Sequence, residues 1–278
     1  MPQAPTPAPP AEPESSGARN TTVDRALRVL EQFLGTEGEL GVLELSRQLD
    51  LDKSVIHRIL VTLVHRRFLE QDPVTRRYRV GLRIWELGQR FLGGQPLQDL
   101  VLRELRGVVA ERAYTTGFVA RLDGGDMVLL HTVIGPGPMN ITIDPGARLM
   151  AERTTTGLTF LSHLDPLEVE RLVLARRATH TGSSLDPIDR LMARLAVIRE
   201  RGYGLSDGHY TPGVGTVARV VRGASGEPLV ALSIDYLIGE GTEDYATTLP
   251  DALARCVAEI ERVAGGTAAQ GSGPAGGT

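Results

Sequence analysis

Leu49-Asp50-Leu51-Asp52-Lys53-Ser54-Val55-Ile56-His57-Arg58-Ile59-Leu60-Val61-Thr62-Leu63 reads as a turn running into a helix. Ile56, Ile59, Leu60 and Leu63 recur at i, i+3, i+4 and i+7, so one face is apolar and requires burial. The opposite face carries Lys53, Ser54, Val55, His57, Arg58 and Thr62, side chains that are small, polar or cationic. Asp52 stands where a side-chain oxygen commonly caps a helix N-terminus. A helix with a buried stripe and a short cationic outer face suits the major groove of DNA. Most amphipathic helices only cover a core, so the flanking sequence decides the reading.

Upstream, Val23, Ala26, Leu27, Leu30, Phe33 and Leu34 keep helical period, with Thr22 as the expected cap and Gly35 to Gly38 as the stop. Val42, Leu45 and Leu49 mark a short second helix, and Asp50 follows where a left-handed residue is usual. Helix, short helix, tight turn and helix is the helix-turn-helix order. Downstream, Phe68-Leu69-Glu70-Gln71 and Arg77-Tyr78-Arg79-Val80 flank the break Asp72-Pro73-Val74-Thr75, the pattern of a β-hairpin. A hairpin in this place is a wing. Arg76 and Arg77 at its tip, with Tyr78 beside them, are expected to meet phosphates or a minor groove. Arg25 and Arg47 are expected to meet phosphates, while Lys53, Ser54, Val55, His57 and Arg58 face the groove.

These residues carry a family resemblance. Thr22 to Leu30, Leu45 to Leu60, Glu70-Gln71-Asp72-Pro73 and Arg77-Tyr78-Arg79-Val80-Gly81-Leu82 resemble the IclR family of bacterial transcription regulators, and the resemblance continues to about Ala264. Departures exist. Arg76 replaces a glycine usual in the wing turn, and a left-handed Arg costs roughly 1 kcal/mol. Leu43 stands where the second helix usually has a Ser or Thr cap.

The resemblance implies an α+β chain: a winged helix-turn-helix over 19–81, a linker helix over 82–95, and a GAF/PAS-like effector-binding domain over 96–264, with an antiparallel sheet and flanking helices. The residue pattern agrees. Leu82, Trp85, Leu87 and Leu92 form a helix closed by Gly93-Gly94-Gln95-Pro96, and Leu97 to Arg112 is a second one. The period then changes to two. Phe118 to Leu122 and Met127 to Val133 read as strands around Asp123-Gly124-Gly125-Asp126, and Met139 to Ile143 as a third. Thr154 to Leu164, Asp165 to Arg176 and Pro187 to Arg201 read as helices. Val214 to Val221 and Leu229 to Tyr236 read as strands, before a last helix from about Leu249 to Val263.

In the resembled family a small molecule binds on one face of this sheet. The implied pocket residues are Thr154, Thr155, Thr156 and Gly157, the loop Ser206-Asp207-Gly208-His209 with Thr216, and Ser233 and Asp235. Family members usually carry His, Lys and Cys where this chain has Glu152, Leu158 and Thr216, a second Ser at Asp235, and acidic residues at Gly208, His209 and Thr211. Added carboxylates and a lost Lys would make the site unwelcoming to a minimal anion. A neutral or cationic effector, or an acid with several hydroxyls, is the expectation; a pocket that has lost its ligand is the alternative.

Composition sets the outer limits. The chain has 278 residues, 41% hydrophobic, with a formal net charge of -4. From Arg19 to Val80 there are 11 Lys/Arg against 9 Asp/Glu, a weak local basic excess. Cys256 is the lone cysteine, which excludes an intrachain disulfide and fits a reducing, cytoplasmic compartment. No apolar run is long enough to span a bilayer. Residues 1–18 and 265–278, rich in Pro, Ala and Gly, are expected to be disordered tails. No metal cluster, phosphate loop or nucleophile elbow is present, so no cofactor, metal or catalytic residue is expected. An enzyme using Thr154 to Thr156 is the weak alternative, and an architectural DNA-binding protein would leave the C-terminal half without a role. Double-stranded DNA and a small metabolite are the expected partners. Apolar residues of the first helix and linker, with Trp85 and Phe91, point to a homodimer or homotetramer.

Overall fold

The computed structural model describes residues 20–35, 38–88, 95–181, 185–208 and 211–270. The tails over 1–18 and 271–278, the linker residues Phe91, Leu92, Gly93 and Gly94, and His209 lie outside them. The chain forms two compact units, dividing between Gln95 and Pro96.

In the first unit, α1 (Thr21–Glu31) runs into a 3-10 turn (Gln32–Gly35), followed by α2 (Val42–Leu49), α3 (Lys53–His65), the hairpin β1 (Leu69–Gln71) and β2 (Tyr78–Val80), and α4 (Leu82–Gly88). Ile56, Ile59, Leu60 and Leu63 of α3 are buried, as their spacing predicts. They pack with Val29, Phe33, Leu40, Leu45, Leu49, Leu69 and Tyr78. Each such aliphatic side chain contributes about 1.5–3 kcal/mol on burial. Asp50 takes the left-handed conformation at φ 52° and ends α2.

The caps differ from expectation. Asn20, not Thr22, caps α1, its carboxamide oxygen accepting from the amides of Thr22 at 3.1 Å and Val23 at 3.3 Å. Asp52 is the N-cap of α3, but its side chain makes no cap bond; its carbonyl accepts from Val55 and Ile56 instead. Gly41 caps α2, and Glu44 accepts its amide at 3.4 Å. The buried stripe of α1 is also narrower than its period implied. Val29 and Phe33 are buried and Ala26 and Leu30 partly so, whereas Val23, Leu27 and Leu34 are exposed. A one-sided helix on a small core buries a narrow arc of its apolar surface.

The second unit holds a six-stranded antiparallel sheet in the order β5-β4-β3-β8-β7-β6. Its strands are β3 (Thr115–Asp123), β4 (Asp126–Ile134), β5 (Arg148–Met150), β6 (Gly204–Asp207), β7 (Val214–Arg222) and β8 (Pro228–Leu237). On one face lie α5 (Gln95–Ala110), whose Leu105 and Val109 close on Gly117, and α9 (Tyr245–Gln270), which packs along β7 and β8. On the other lie α6 (Thr155–Leu161), α7 (Pro166–Ala178) and α8 (Ile188–Arg201), around a core of Phe118, Met127, Leu129, Leu158, Leu161 and Leu195.

Three expectations fail in this unit. Met139 to Ile143 is not a strand. Pro138 and Pro145 bracket it, and the Thr132 hydroxyl meets the Ile143 carbonyl at 2.8 Å in place of a ladder bond. Ile141 and Ile143 still pack on the core. Ser206 belongs to the edge strand β6 rather than to a loop. The last helix continues to Gln270, into the segment expected to be disordered, where alanines favour helix.

Tyr78 is buried at 2% exposure, and its hydroxyl bonds Gln71 at 3.0 Å. Tyr78→Ala should cost about 3–5 kcal/mol of N-terminal stability in urea unfolding, and Tyr78→Phe about 1 kcal/mol. A small loss for both would contradict this placement.

Candidate nucleic-acid interface and ligand cavity

The outer face of α3 is set by its buried one. Lys53, Ser54, His57 and Arg58 are exposed together on the first two turns, with Val61 and Thr62 behind them. Val55 is partly buried against the core and presents less surface than its neighbours. Arg47 is exposed on α2 and Arg25 half-buried on α1.

The wing is held by side chains. The Asp72 carboxylate accepts the amides of Val74 at 2.8 Å and Thr75 at 2.7 Å. These amides, Thr75 first, hold its carboxyl below the usual carboxylate range. Arg76 keeps the left-handed turn at φ 60° despite its side chain, and is exposed. Arg77, expected to reach phosphate, is already engaged: its guanidinium donates to the Glu39 carbonyl at 2.7 Å and to Glu44 at 2.8 Å. It ties the wing to the start of α2. Tyr78 points into the core, because residues on a strand alternate faces and Arg77 and Arg79 take the outer one. Arg66 and Arg67, exposed just beyond α3, were not singled out from the sequence; the signal was their place after the last buried residue of the helix, Leu63.

In the second unit a cavity of about 250 Å³ opens between the sheet and α6. Phe118, Ala120, Met127 and Leu129 give it an apolar wall; Thr154, Thr155, Thr156, Ser206, Thr216, Ser233 and Asp235 supply polar groups. Thr211 and Val214, from the implied pocket segments, also line it, as do Arg153 and Ile143, which were not anticipated. Antiparallel register gathers the sheet residues: Ser206 faces Thr216 across β6 and β7, and Thr216 faces Asp235 across β7 and β8.

α6 is pressed close. A Cβ at Gly157 would lie 2.2 Å from the Ala151 carbonyl, and one at Gly204 would lie 2.0 Å from the Thr159 hydroxyl. Glycine is required by close approach at both ends. Thr154 caps the helix, its hydroxyl accepting the Gly157 amide at 3.0 Å.

Four residues read as pocket groups stand elsewhere. Gly157 is buried under the turn at Ala151, and its amide is spent on Thr154. Asp207 is exposed, since it alternates with Ser206 along β6. Glu152, 7% exposed, is paired with Arg177, whose Nε lies 2.9 Å away, so its charge is neutralised outside the cavity. Leu158 is part of the hydrophobic core, where a Lys would be costly.

Asp235 is the unusual group. Burial pushes its carboxyl from 3.8 up to about 7, against a hydrogen bond from Thr216 that lowers it. The folded state therefore holds a proton that the unfolded chain releases, and stability falls as pH rises from 3.8 to about 7. Asp235→Asn should melt close to wild type near the acid end of this window. Above it the variant should be more stable, by up to about 4 kcal/mol. A pH-independent difference in melting would contradict this.

The chain matches the IclR helix-turn-helix domain over residues 22–73 and the bacterial transcriptional regulator IclR C-terminal domain over 99–262. It is 27% identical over 251 residues to the HTH-type transcriptional regulator BhcR of Paracoccus denitrificans, covering 89% of this chain and 88% of that one. It is 28% identical over 250 residues to the acetate operon repressor of Salmonella typhimurium, covering 88% and 90%. Its fold resembles that of an IclR homolog from Microbacterium hydrocarbonoxydans complexed with 4-hydroxybenzoate, with a TM-score of 0.72 at 22% identity, over 87% of this chain and 98% of that one.

Proposed function

Because this chain belongs to the IclR family and is a DNA-binding transcriptional regulator, we propose that it acts in the cytoplasm as a symmetric oligomer whose α3 reads a palindromic operator and whose C-terminal cavity binds the effector. The observation that carries the reading is the outer face of α3, where Lys53, Ser54, His57 and Arg58 stand free over a fully buried stripe. Groove-facing side chains of this kind read base edges, and flanking cations position the protein on phosphates. Arg25, Arg47 and Arg76 take the phosphate role, with Arg66 and Arg67 added. Arg77 serves the wing instead. Relatives named as repressors support repression by operator occupancy.

Oligomerisation is supported by apolar surface left over in the first unit. Val23, Leu27 and Leu34 on α1 and its turn, and Leu82, Trp85 and Leu87 on α4, are all more than half exposed. An isologous contact between two copies would cover them and supply the two-fold symmetry that paired half-sites need. The cavity is read as a binding site: hydroxyls, one carboxyl and one guanidinium around an apolar wall suit the holding of a small molecule, and the relatives are named as regulators.

In a salt-titrated gel shift with the chain's own promoter DNA, Arg76→Ala should weaken binding to all sequences and lower the salt slope by about one unit. Arg58→Ala should cost about 1–3 kcal/mol and relax specificity at one position. Wild-type binding by Arg58→Ala and Lys53→Ala together would refute the role given to α3. Light scattering at micromolar concentration should return at least twice the chain mass, and a monomer would refute the oligomer.

A further inference from the structure

Strand register lays four polar side chains in one row across the sheet. Thr116 on β3 faces Asp235 on β8, Asp235 faces Thr216 on β7, and Thr216 faces Ser206 on β6. Directly paired residues project from the same face of a sheet. Asp235, Thr216 and Ser206 line the cavity, and Thr116 flanks them. Thr116 is fully buried and Ser206 is 5% exposed, yet neither hydroxyl has a hydrogen-bond partner. Thr216 spends its own on Asp235.

Two buried hydroxyls without partners, beside a half-buried carboxyl that receives one bond, leave the row with unmet hydrogen-bonding capacity. An ionised carboxylate accepts from several donors at once. An apolar ligand would leave every one of these groups unsatisfied. A minimal anion placed at the row would be repelled by Asp235 wherever that carboxyl is ionised, since the medium is of low dielectric.

We propose that this row is the recognition floor for a ligand with a hydrogen-bond-donating head, an ammonium or hydroxyl group, that donates to Asp235 and exchanges a hydrogen bond with Ser206. The inference rests on the reading of the C-terminal unit as an effector sensor. It fixes the chemistry of one end of the ligand. Arg153, elsewhere on the cavity wall, leaves room for an acidic group at the other end of the same molecule.

The test is a thermal-shift panel on the full chain at neutral pH, built from pairs that differ in the donor: β-alanine with propanoate, glycerate with propanoate, 5-aminopentanoate with pentanoate, and gluconate with hexanoate. A ligand that binds only the folded state raises the midpoint by mass action. A donor-bearing member of at least one pair should raise it by a few degrees, and its partner should not. β-Alanine or 5-aminopentanoate as the responder identifies an ammonium head; glycerate or gluconate identifies a hydroxyl head. Asp235→Asn, an isosteric change in a chain it does not destabilise, should weaken the responder about tenfold or more, and Ser206→Ala should weaken it less. Equal shifts from propanoate and its donor-bearing partners, unchanged in Asp235→Asn, overturn the inference and leave the sensor reading intact. Silence from the whole panel overturns it and withdraws support from the sensor reading as well.

Discussion

The C-terminal unit depends on the register of β8 between β3 and β7. Side chains alternate along a strand, so a slip of one residue would turn Ser233 and Asp235 away from the cavity. Several features resist such a slip. Tyr236, the next residue along, lays its ring over Gly215, where a Cβ would lie 2.1 Å from it. Val230, Leu232 and Ile234 are buried along the same strand. Packing of this one face of β8 therefore fixes where the polar residues of the other face point, and a carboxyl group is carried into a place that its own solvation opposes.

Much of the architecture was legible in the sequence. The α3 stripe, the left-handed Asp50, the hairpin and the long strands all follow from period and from the tolerance of particular residues for particular dihedrals. What period cannot show is competition for partners. Arg76 and Arg77 look alike in a string of letters, but Arg77 lies within reach of Glu39 and Glu44, which come from a distant part of the chain. Tyr78 reads as a DNA contact and Leu158 as a pocket position, and both are core, because tertiary packing decides their faces. Glu152 was counted as a charge in the pocket, and Arg177 cancels it outside.

The cavity divides along the same line. Thr154, Thr155, Thr156, Ser206, Thr216, Ser233 and Asp235 were implied by the family resemblance, whereas the apolar wall of Phe118, Ala120, Met127 and Leu129 was not. Those four look like any sheet core in sequence. They become a wall because α6 does not cover them fully, and a gap of that kind is a property of helix placement. The Met139 to Ile143 segment shows the converse. Its alternation was real and its isoleucines do face inward, but prolines at both ends deny it a ladder.

The two glycine contacts of α6 have a mechanical consequence. The helix is in backbone-close contact with the turn at Ala151 on one side and with β6 at Gly204 on the other. The first contact is backbone on backbone; the second sets a glycine against the Thr159 and Thr155 side chains. A force on Thr155 or Thr156 from inside the cavity would therefore bear on the turn and on the edge strand together. Closely packed elements of this sort slide against their neighbours in shear rather than bending within themselves. A push on α6 from the cavity would thus be shared with the edge strand that itself carries Ser206, so two walls of the cavity would move together rather than independently.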